Sequence, residues 1–252
     1  PWLSFTGRVG YDVTAGNGYR SIHPQSNAGI SQGGYIETYY NQANVTTTNL
    51  FATLKKSFGK FNTRLILGNA ISENEQTILS TQGSKFLEQN FLSINNTDPT
   101  TQRSQERIIR KKVVGFYGEA VFDYDNILFL TLTGRKDWSS TLPEGDNDFF
   151  YPSVGTSFVF SEIGGLKDSK VLTLGKLRAS YAEVGNDAKP YDIVPSYQPQ
   201  PTTGGGFAYG VTGANAELKP EYRKSYELGT ELQFYNNRLG LDVAVYRTKT
   251  ED

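Results

Sequence analysis

The chain has 252 residues, with 26 Gly, 16 Tyr and 15 Phe, no Cys, no Met and one His, and its 25 basic side chains nearly balance 26 acidic ones. Without Cys it holds no disulfide, zinc–thiolate or iron–sulfur site, and without a basic excess it lacks the electrostatic footprint of a nucleic-acid partner. The longest aliphatic or aromatic run extends only from Ile127 to Leu130, whereas a spanning helix needs roughly 20 apolar residues. No targeting pattern is read at its start, and the absence of Met reads as a fragment of a longer protein.

Apolar residues recur at every second position, the period of a strand with two unlike faces. Leu3, Phe5, Gly7, Val9 and Tyr11 fall on one face, with Ser4, Thr6 and Arg8 between them. Strands are expected next near 45–58, 61–71 and 111–124, and then where Leu128, Leu130 and Leu132 alternate with Thr131, Thr133 and Arg135. Two more follow near 151–161 and 172–184. In the last hairpin, Tyr226, Leu228, Thr230, Leu232 and Phe234 share one face, and Ser225, Glu227, Gly229, Glu231 and Gln233 the other. After the turn Asn236-Asn237, Leu239, Leu241, Val243 and Val245 alternate with Gly240, Asp242, Ala244 and Tyr246. Nine strands result. Many exceed the usual soluble strand of about 5 to 6 residues and match the roughly 9 to 11 tilted residues that cross a bilayer.

Tight connections are expected at 58–60, 124–126, 161–170 and 236–237, and long ones at 12–44, 72–109, 139–150 and 185–221. The tight turns fall on one end of the meander and the long loops on the other, provided 34–58 is one descending strand whose upper part projects above the membrane. Bacterial barrels have this arrangement. A soluble sandwich or propeller would also alternate, but its long loops would have no reason to keep to one end. Trp2, Tyr11, Trp138, Tyr151 and Tyr235, near strand ends, fit interfacial girdles. The fold class expected is therefore all-β, an antiparallel up-and-down transmembrane β-barrel, with almost no helix. Even strand counts are the rule in bacterial single-chain barrels, so at least one strand is expected outside residues 1–252.

Catalytic chemistry finds no constellation here: His23, the single His, sits beside Pro24 in a polar loop and reads as a surface residue. Gly204-Gly205-Gly206 lacks a following Lys-Ser and reads as flexible loop. Glu144, Asp146 and Asp148 could offer oxygens to a hard cation, but with Gly145 and Asn147 they form an ordinary turn composition. No enzyme activity, metal or cofactor is expected. Candidate binding residues are Arg135, Asp137 and Trp138 at the outer end of one strand, where Arg135 and Asp137 share the inward parity. They contact substrate or order the rim as an ion pair, the second role being favoured by the many paired charges of polar barrel interiors. Glu227, Glu231, Asp242 and Tyr246 share a face expected to meet the lumen. The loop 185–221 carries five prolines, three consecutive glycines and the aromatic residues Tyr191, Tyr197, Phe207 and Tyr209, which could stack on sugars or pack against a peptide or protein.

The segment Val114–Phe160 holds an aromatic-rich hairpin, then Arg135, Asp137, Ser139 and Ser140, then Tyr151-Pro152-Ser153. Downstream come Leu177-Arg178-Ala179-Ser180-Tyr181, Gly185-Asn186-Asp187, Leu218-Lys219-Pro220-Glu221 and Ser225-Tyr226-Glu227-Leu228-Gly229. This ordered set, roughly half the chain, resembles the SusC/RagA-like family of TonB-dependent receptors. The resemblance implies a 22-stranded barrel with a plugged lumen, of which residues 1–252 are a middle section, without the plug, the TonB-contact segment or the closing strands. It implies an active nutrient importer of the bacterial outer membrane, surrounded by outer-membrane lipid. Its partners are TonB, reached through the missing amino-terminal region, and a SusD-like surface lipoprotein that closes as a lid, and its substrates are oligosaccharides or peptides. A structural or interaction barrel within an envelope complex, and a siderophore receptor or porin, remain open as alternatives.

Overall fold

Backbone pairing follows the order of the chain. In a computed structural model, which describes residues 1–195, 197–199, 207–209 and 213–251, the strands are β1 (Leu3–Ile22), β2 (Tyr35–Phe58), β3 (Phe61–Ser84), β4 (Arg103–Tyr124), β5 (Leu128–Ser139), β6 (Asp148–Val159), β7 (Leu172–Asn186), β8 (Tyr197–Pro199), β9 (Phe207–Tyr209), β10 (Glu221–Phe234) and β11 (Leu239–Glu251). Nine of them make one antiparallel sheet in the order β1-β2-β3-β4-β5-β6-β7-β10-β11, and β8 pairs with β9 alone. Helix among the described residues is confined to three-residue 3₁₀ turns. The expected count of nine strands and the single meander are borne out.

The strands run further than alternation indicated. Residues 12–44 and 72–109 are expected as loops, yet β1 continues to Ile22, β3 continues to Ser84 and β4 begins at Arg103, while β2, from Tyr35 to Phe58, matches the single strand 34–58 on which the sorting of turns and loops depends. The reason is that 72–84 carries Thr, Asn, Gln, Glu and Ser at both parities. With no apolar face there is no period to read, and cross-strand partners define the strand instead.

The chain divides into two compact units, one of Pro1–Val9, Thr48–Ile71 and Lys112–Asp252, the other of Gly10–Thr47 and Ser72–Lys111. In the first, the registers of β5 to β7, β10 and β11 bring like side chains together over much of the sheet: Leu132 faces Val154, Val154 faces Tyr181, Leu228 faces both Ala179 and Val245, and Glu231 faces both Lys176 and Asp242. One face carries Leu130, Leu132, Val154, Phe158, Leu177, Leu228, Leu241, Val243 and Val245; the other is mainly polar, with Phe129, Phe149, Val159 and Leu174 among its charged and hydroxyl side chains. No second layer covers the apolar face, so Leu228 stays 66% and Leu177 50% exposed. Leu142, Phe149 and Val159 are the buried apolar side chains of this unit among the described residues, too few for a water-soluble core. The sandwich alternative therefore falls.

Hairpin turns use left-handed residues where expected. Gly59 has φ +60°, and Asp125 and Asn126 have φ 55° and 58°, the geometry whose twist suits two-residue hairpins. At the third, Tyr235, Asn236 and Asn237 all have positive φ. Adjacent hairpins are tied: the Asp125 amide donates to the Lys60 carbonyl at 2.8 Å and the Lys60 ammonium meets the Asp125 carboxylate at 2.6 Å.

The second unit is held by polar contacts. The Gln76 amide donates to Asn41 at 3.0 Å, Thr81 and Ser104 hydroxyls lie 3.2 Å apart, and Arg110 reaches Glu75 at 2.7 Å. Its loop 85–102 folds around buried Asn96, whose amide donates to the Glu88 and Phe91 carbonyls at 2.7 Å each. Buried Thr97 occupies the space above Gly83, where an added Cβ would lie 2.2 Å from its hydroxyl. Asp98 accepts from the Thr100 amide at 2.9 Å and from its hydroxyl at 2.7 Å, with Lys85 at 3.5 Å. The Thr100 hydrogen bonds, and then Lys85, hold the Asp98 carboxyl below its usual range. A depressed carboxyl contributes its stabilisation above the ordinary carboxylate range, about pH 4, and loses it as pH falls through the native value. Hydrogen exchange is expected to accelerate at Ser84, Thr100 and Thr101 on acidification below pH ~4 in the wild type, and not in Asp98→Asn.

Candidate functional site

The polar face of the first unit concentrates its chemistry around Asp137, which is 5% exposed. Arg135 stands two residues away on the same strand face, so its Nε donates to Asp137 Oδ1 at 2.7 Å and Oδ2 at 2.9 Å. The register places Tyr151 opposite Arg135, and its hydroxyl donates to Asp137 Oδ2 at 2.5 Å. Across β4 the Tyr117 ring lies 5.9 Å from the Arg135 guanidinium carbon, and the Tyr117 hydroxyl donates to Asn49 Oδ1 at 2.7 Å. Gly115, opposite Asp137, supplies the room: an added Cβ would sit 2.1 Å from Asp137 Oδ1 and 2.5 Å from Arg135 Nη2. Gly68 does the same for Tyr117, whose ring carbon would lie 2.4 Å from a Cβ there. The carboxylate is thus saturated and enclosed, the arrangement of a brace.

Above it, the Ser139 and Thr141 hydroxyls lie 2.9 Å apart, both almost wholly buried, and both donate to the Asp187 carboxylate, Thr141 at 3.2 Å. This joins the 140–147 connection to the end of β7, and it unites two sequence segments that lie 48 residues apart. Asp187→Ala leaves two buried hydroxyls without their acceptor, at a cost of about 1 to 3 kcal/mol. Faster proteolysis within 140–147, with the sheet's own exchange rates unchanged, is the expected result.

Toward the carboxy-terminal hairpin, Arg178 spans three strands. From β7 it crosses β10 and grips Asp242 on β11, Nη2 to Oδ1 at 2.7 Å and Nη1 to Oδ2 at 3.1 Å, with Glu227 at 3.4 Å. Gly229 lies beneath, where a Cβ would come 2.5 Å from Arg178 Nε. Lys176 approaches Glu231 at 3.9 Å. Glu227, Glu231, Asp242 and Tyr246 therefore share one face, as their parity requires, with Glu227 opposite Tyr246 and Glu231 opposite Asp242.

Trp138 is not brought to this site. It lies on the opposite face, its ring 5.9 Å from Phe116 and 5.1 Å from the Lys136 ammonium, which also pairs with Asp148 at 2.6 Å. That is the face on which the girdle residues are expected. Tyr151 is the reverse case: expected in a girdle, it faces the polar side, because odd positions of β6 pair with odd positions of β5. Tyr191 is exposed, with φ 72°, in the turn after β7. The backbones of Tyr197, Phe207 and Tyr209 lie in the β8–β9 ladder, Tyr197 opposite Tyr209, while their side chains, like Gly204-Gly205-Gly206, lie outside the described residues. Among the described residues no group of three or more His, Asp or Glu side chains converges as a metal site. Sequence reasoning missed Tyr117, Arg178 and Asp187. Parity alone would have put Arg178 on the polar face, between Leu177 and Ala179, whereas nothing local marks Asp187 as the partner of Ser139.

A broad single sheet with one ion-paired face, one uncovered apolar face and alternating short and long connections is the wall of a large barrel. Residues 2–252 match the family model described as TonB dependent receptor-like, beta-barrel. The chain belongs to that family. TonB-dependent receptor P3 of Formosa agariphila is 29% identical over 240 residues, covering 89% of this chain and 23% of that receptor. TonB-dependent receptor P26 of the same organism is 30% identical over 167 residues, covering 64% of this chain and 17% of its own length. Among solved structures, the RagAB peptide transporter matches with a TM-score of 0.85 at 18% identity, over 98% of this chain and 28% of that one. The siderophore receptor PiuA from Acinetobacter baumannii matches with a TM-score of 0.53 at 17% identity, over 97% of this chain and 37% of that one. At these identities the structures speak to fold. This section of a TonB-dependent receptor barrel thus spans under a third of the relatives and of the RagAB chain it matches, and its family consists of outer-membrane receptors and transporters, not enzymes.

Proposed function

We propose that residues 1–252 form part of the wall of a TonB-driven outer-membrane importer that takes up oligosaccharides or peptides under a SusD-like lipoprotein lid. In this reading the polar face lines the lumen, with Glu227, Glu231, Asp242 and Tyr246 wetting it or meeting a plug, and Arg135, Asp137 and Tyr151 bracing the rim below the substrate loops. The apolar face meets lipid. The observation that carries the reading is that apolar face: a continuous band from Leu128 and Leu132 through Leu177 and Leu228 to Val245, left uncovered within the chain, is found where a membrane supplies the other layer.

The long connection between β7 and β10 is the proposed capture element, with Tyr191, Tyr197, Phe207 and Tyr209 as flat surfaces for the substrate or the lid. Deleting the gene should abolish uptake of labelled peptides or oligosaccharides; loss of ferric siderophore uptake instead would replace the reading with the siderophore-receptor alternative. Deleting 199–210 in the full-length protein should leave the barrel inserted and weaken uptake or lid association. If both survive unchanged, this loop has no capture role.

A further inference from the structure

The connection from β7 to β10 leaves the sheet at Asn186 and rejoins it at Glu221. Its two ends are tied to each other: the Asn215 amide donates to the Asp192 carbonyl at 3.1 Å, and the Asn186 side chain donates to the Glu221 carboxylate at 3.5 Å. Each end also turns back on its own backbone, the Val194 amide to the Tyr191 carbonyl at 3.1 Å and the Leu218 amide to the Asn215 carbonyl at 3.3 Å. Such ties close a neck without fixing its direction. Asp187 reaches outside it. Ser139 and Thr141, almost wholly buried, both donate to one of its oxygens, Oδ2, and they stand at the start of the 140–147 connection. That connection is fastened in turn. The Ser139 amide donates to the Asn147 carbonyl, the Ser140 amide to the Lys112 carbonyl and the Lys112 amide to the Ser140 hydroxyl, each at 2.9 Å. Just beyond it, buried Phe149 lies against Gly185, where an added Cβ would come 2.3 Å from the ring.

We infer that Asp187 is the positioning residue of the capture connection: by fastening the neck to the hydroxyls of Ser139 and Thr141 it sets the direction in which the connection leaves the wall, and through that its affinity for the imported molecule. The inference rests on the proposed reading of this connection as the capture element. An arm free to swing about its neck spreads over many directions, and its apparent affinity falls by the fraction of time spent outside the competent one. A tie at the root has the largest effect, because a small rotation there displaces everything beyond it. The tie also has to hold. An exposed bond such as that between Asn186 and Glu221 exchanges readily with water, whereas two buried hydroxyls that lose their acceptor are left without a partner, and that desolvation cost holds Asp187 in place.

The test uses the full-length receptor in cells lacking the chromosomal gene. Two probes are offered, a radiolabelled tryptic digest of casein and a radiolabelled partial hydrolysate of starch, and uptake rates are divided by the amount of inserted receptor. Asp187→Ala is expected to raise the half-saturating concentration of the imported probe about tenfold while the maximal rate stays within about twofold of wild type. Asp187→Asn, whose side-chain carbonyl takes the place of Oδ2, should restore the wild-type value, and Thr141→Val, which removes one of the two donors, should fall between. Spin labels on Glu144→Cys and Lys189→Cys report the direction itself: a narrow distance distribution with Asp187 or Asn at the root, a broad one with Ala. Less inserted receptor at an unchanged half-saturating concentration would assign Asp187 to stability alone and overturn the inference, as would a distribution that stays narrow in Asp187→Ala. The deletion of 199–210 separates the two levels. If uptake survives it, or if the wild type imports neither probe, the capture reading falls and the inference with it; if the deletion weakens uptake and Asp187→Ala does not, only the positioning role falls.

Discussion

Val243→Arg is expected to destabilise the inserted full-length barrel by about 2 to 4 kcal/mol, while Gln233→Arg and Tyr246→Arg stay within about 1 kcal/mol of wild type. Val243 stands opposite Thr230 in the middle of the last hairpin, on the face with Leu228, Leu241 and Val245. A guanidinium there enters hydrocarbon with no partner. Gln233 and Tyr246 lie three register positions to either side on the opposite face, so they bracket the same depth. Arginine at 233 would meet Glu231, to which Gln233 already donates at 3.1 Å, and arginine at 246 would stand opposite Glu227. Urea unfolding from lipid vesicles measures all three. Equal costs on the two faces would contradict the lipid-facing assignment, and a larger cost at 246 than at 243 would invert it.

Asp137→Ala is expected to cost roughly 2 to 3 kcal/mol, because it strands Arg135 and the Tyr151 hydroxyl in a half-buried site. The full penalty for breaking a buried pair is tempered here, since the Arg135 side chain keeps 32% of its exposure and can turn toward water. Tyr151→Phe removes one hydrogen bond and should cost about 1 kcal/mol. Gly115→Ala is the sharper test: its methyl carbon would lie 2.1 Å from Asp137 Oδ1, so it should destabilise nearly as much as Asp137→Ala, and the two changes together should cost little more than either alone. Unfolding midpoints of the three single variants and the double variant decide this. Additive costs would mean that the glycine and the carboxylate act independently and that the brace is not a unit.

Much of the candidate site was legible from parity. Arg135 with Asp137, and Glu227 with Glu231 and Asp242, lie on the face that alternation assigned to them, because a strand's period of two is a local property of its backbone. The separation of Trp138 from Arg135 and Asp137 follows from the same rule. The tight turns were also local: Gly59, Asp125-Asn126 and Asn236-Asn237 supply the positive φ that hairpins need. The glycine positions tell a different story. Gly68, Gly115 and Gly229 each make room for a side chain on a neighbouring strand, and a sequence read one strand at a time shows only a missing side chain.

What the sequence determined by itself was the two-faced strand, its turns and hence the barrel wall, since apolar alternation and turn chemistry act between residues close in the chain. What the tertiary structure alone decided was the length of the polar strands at 72–84 and 103–111, and which charges meet. Those strands have polar side chains at both parities, so only hydrogen bonding to neighbours, set by sheet register, identifies them. Likewise Ser139 finds Asp187 and Arg178 reaches Asp242 across an intervening strand. The register that aligns such residues is the sum of every ladder bond between them, a quantity no single segment contains.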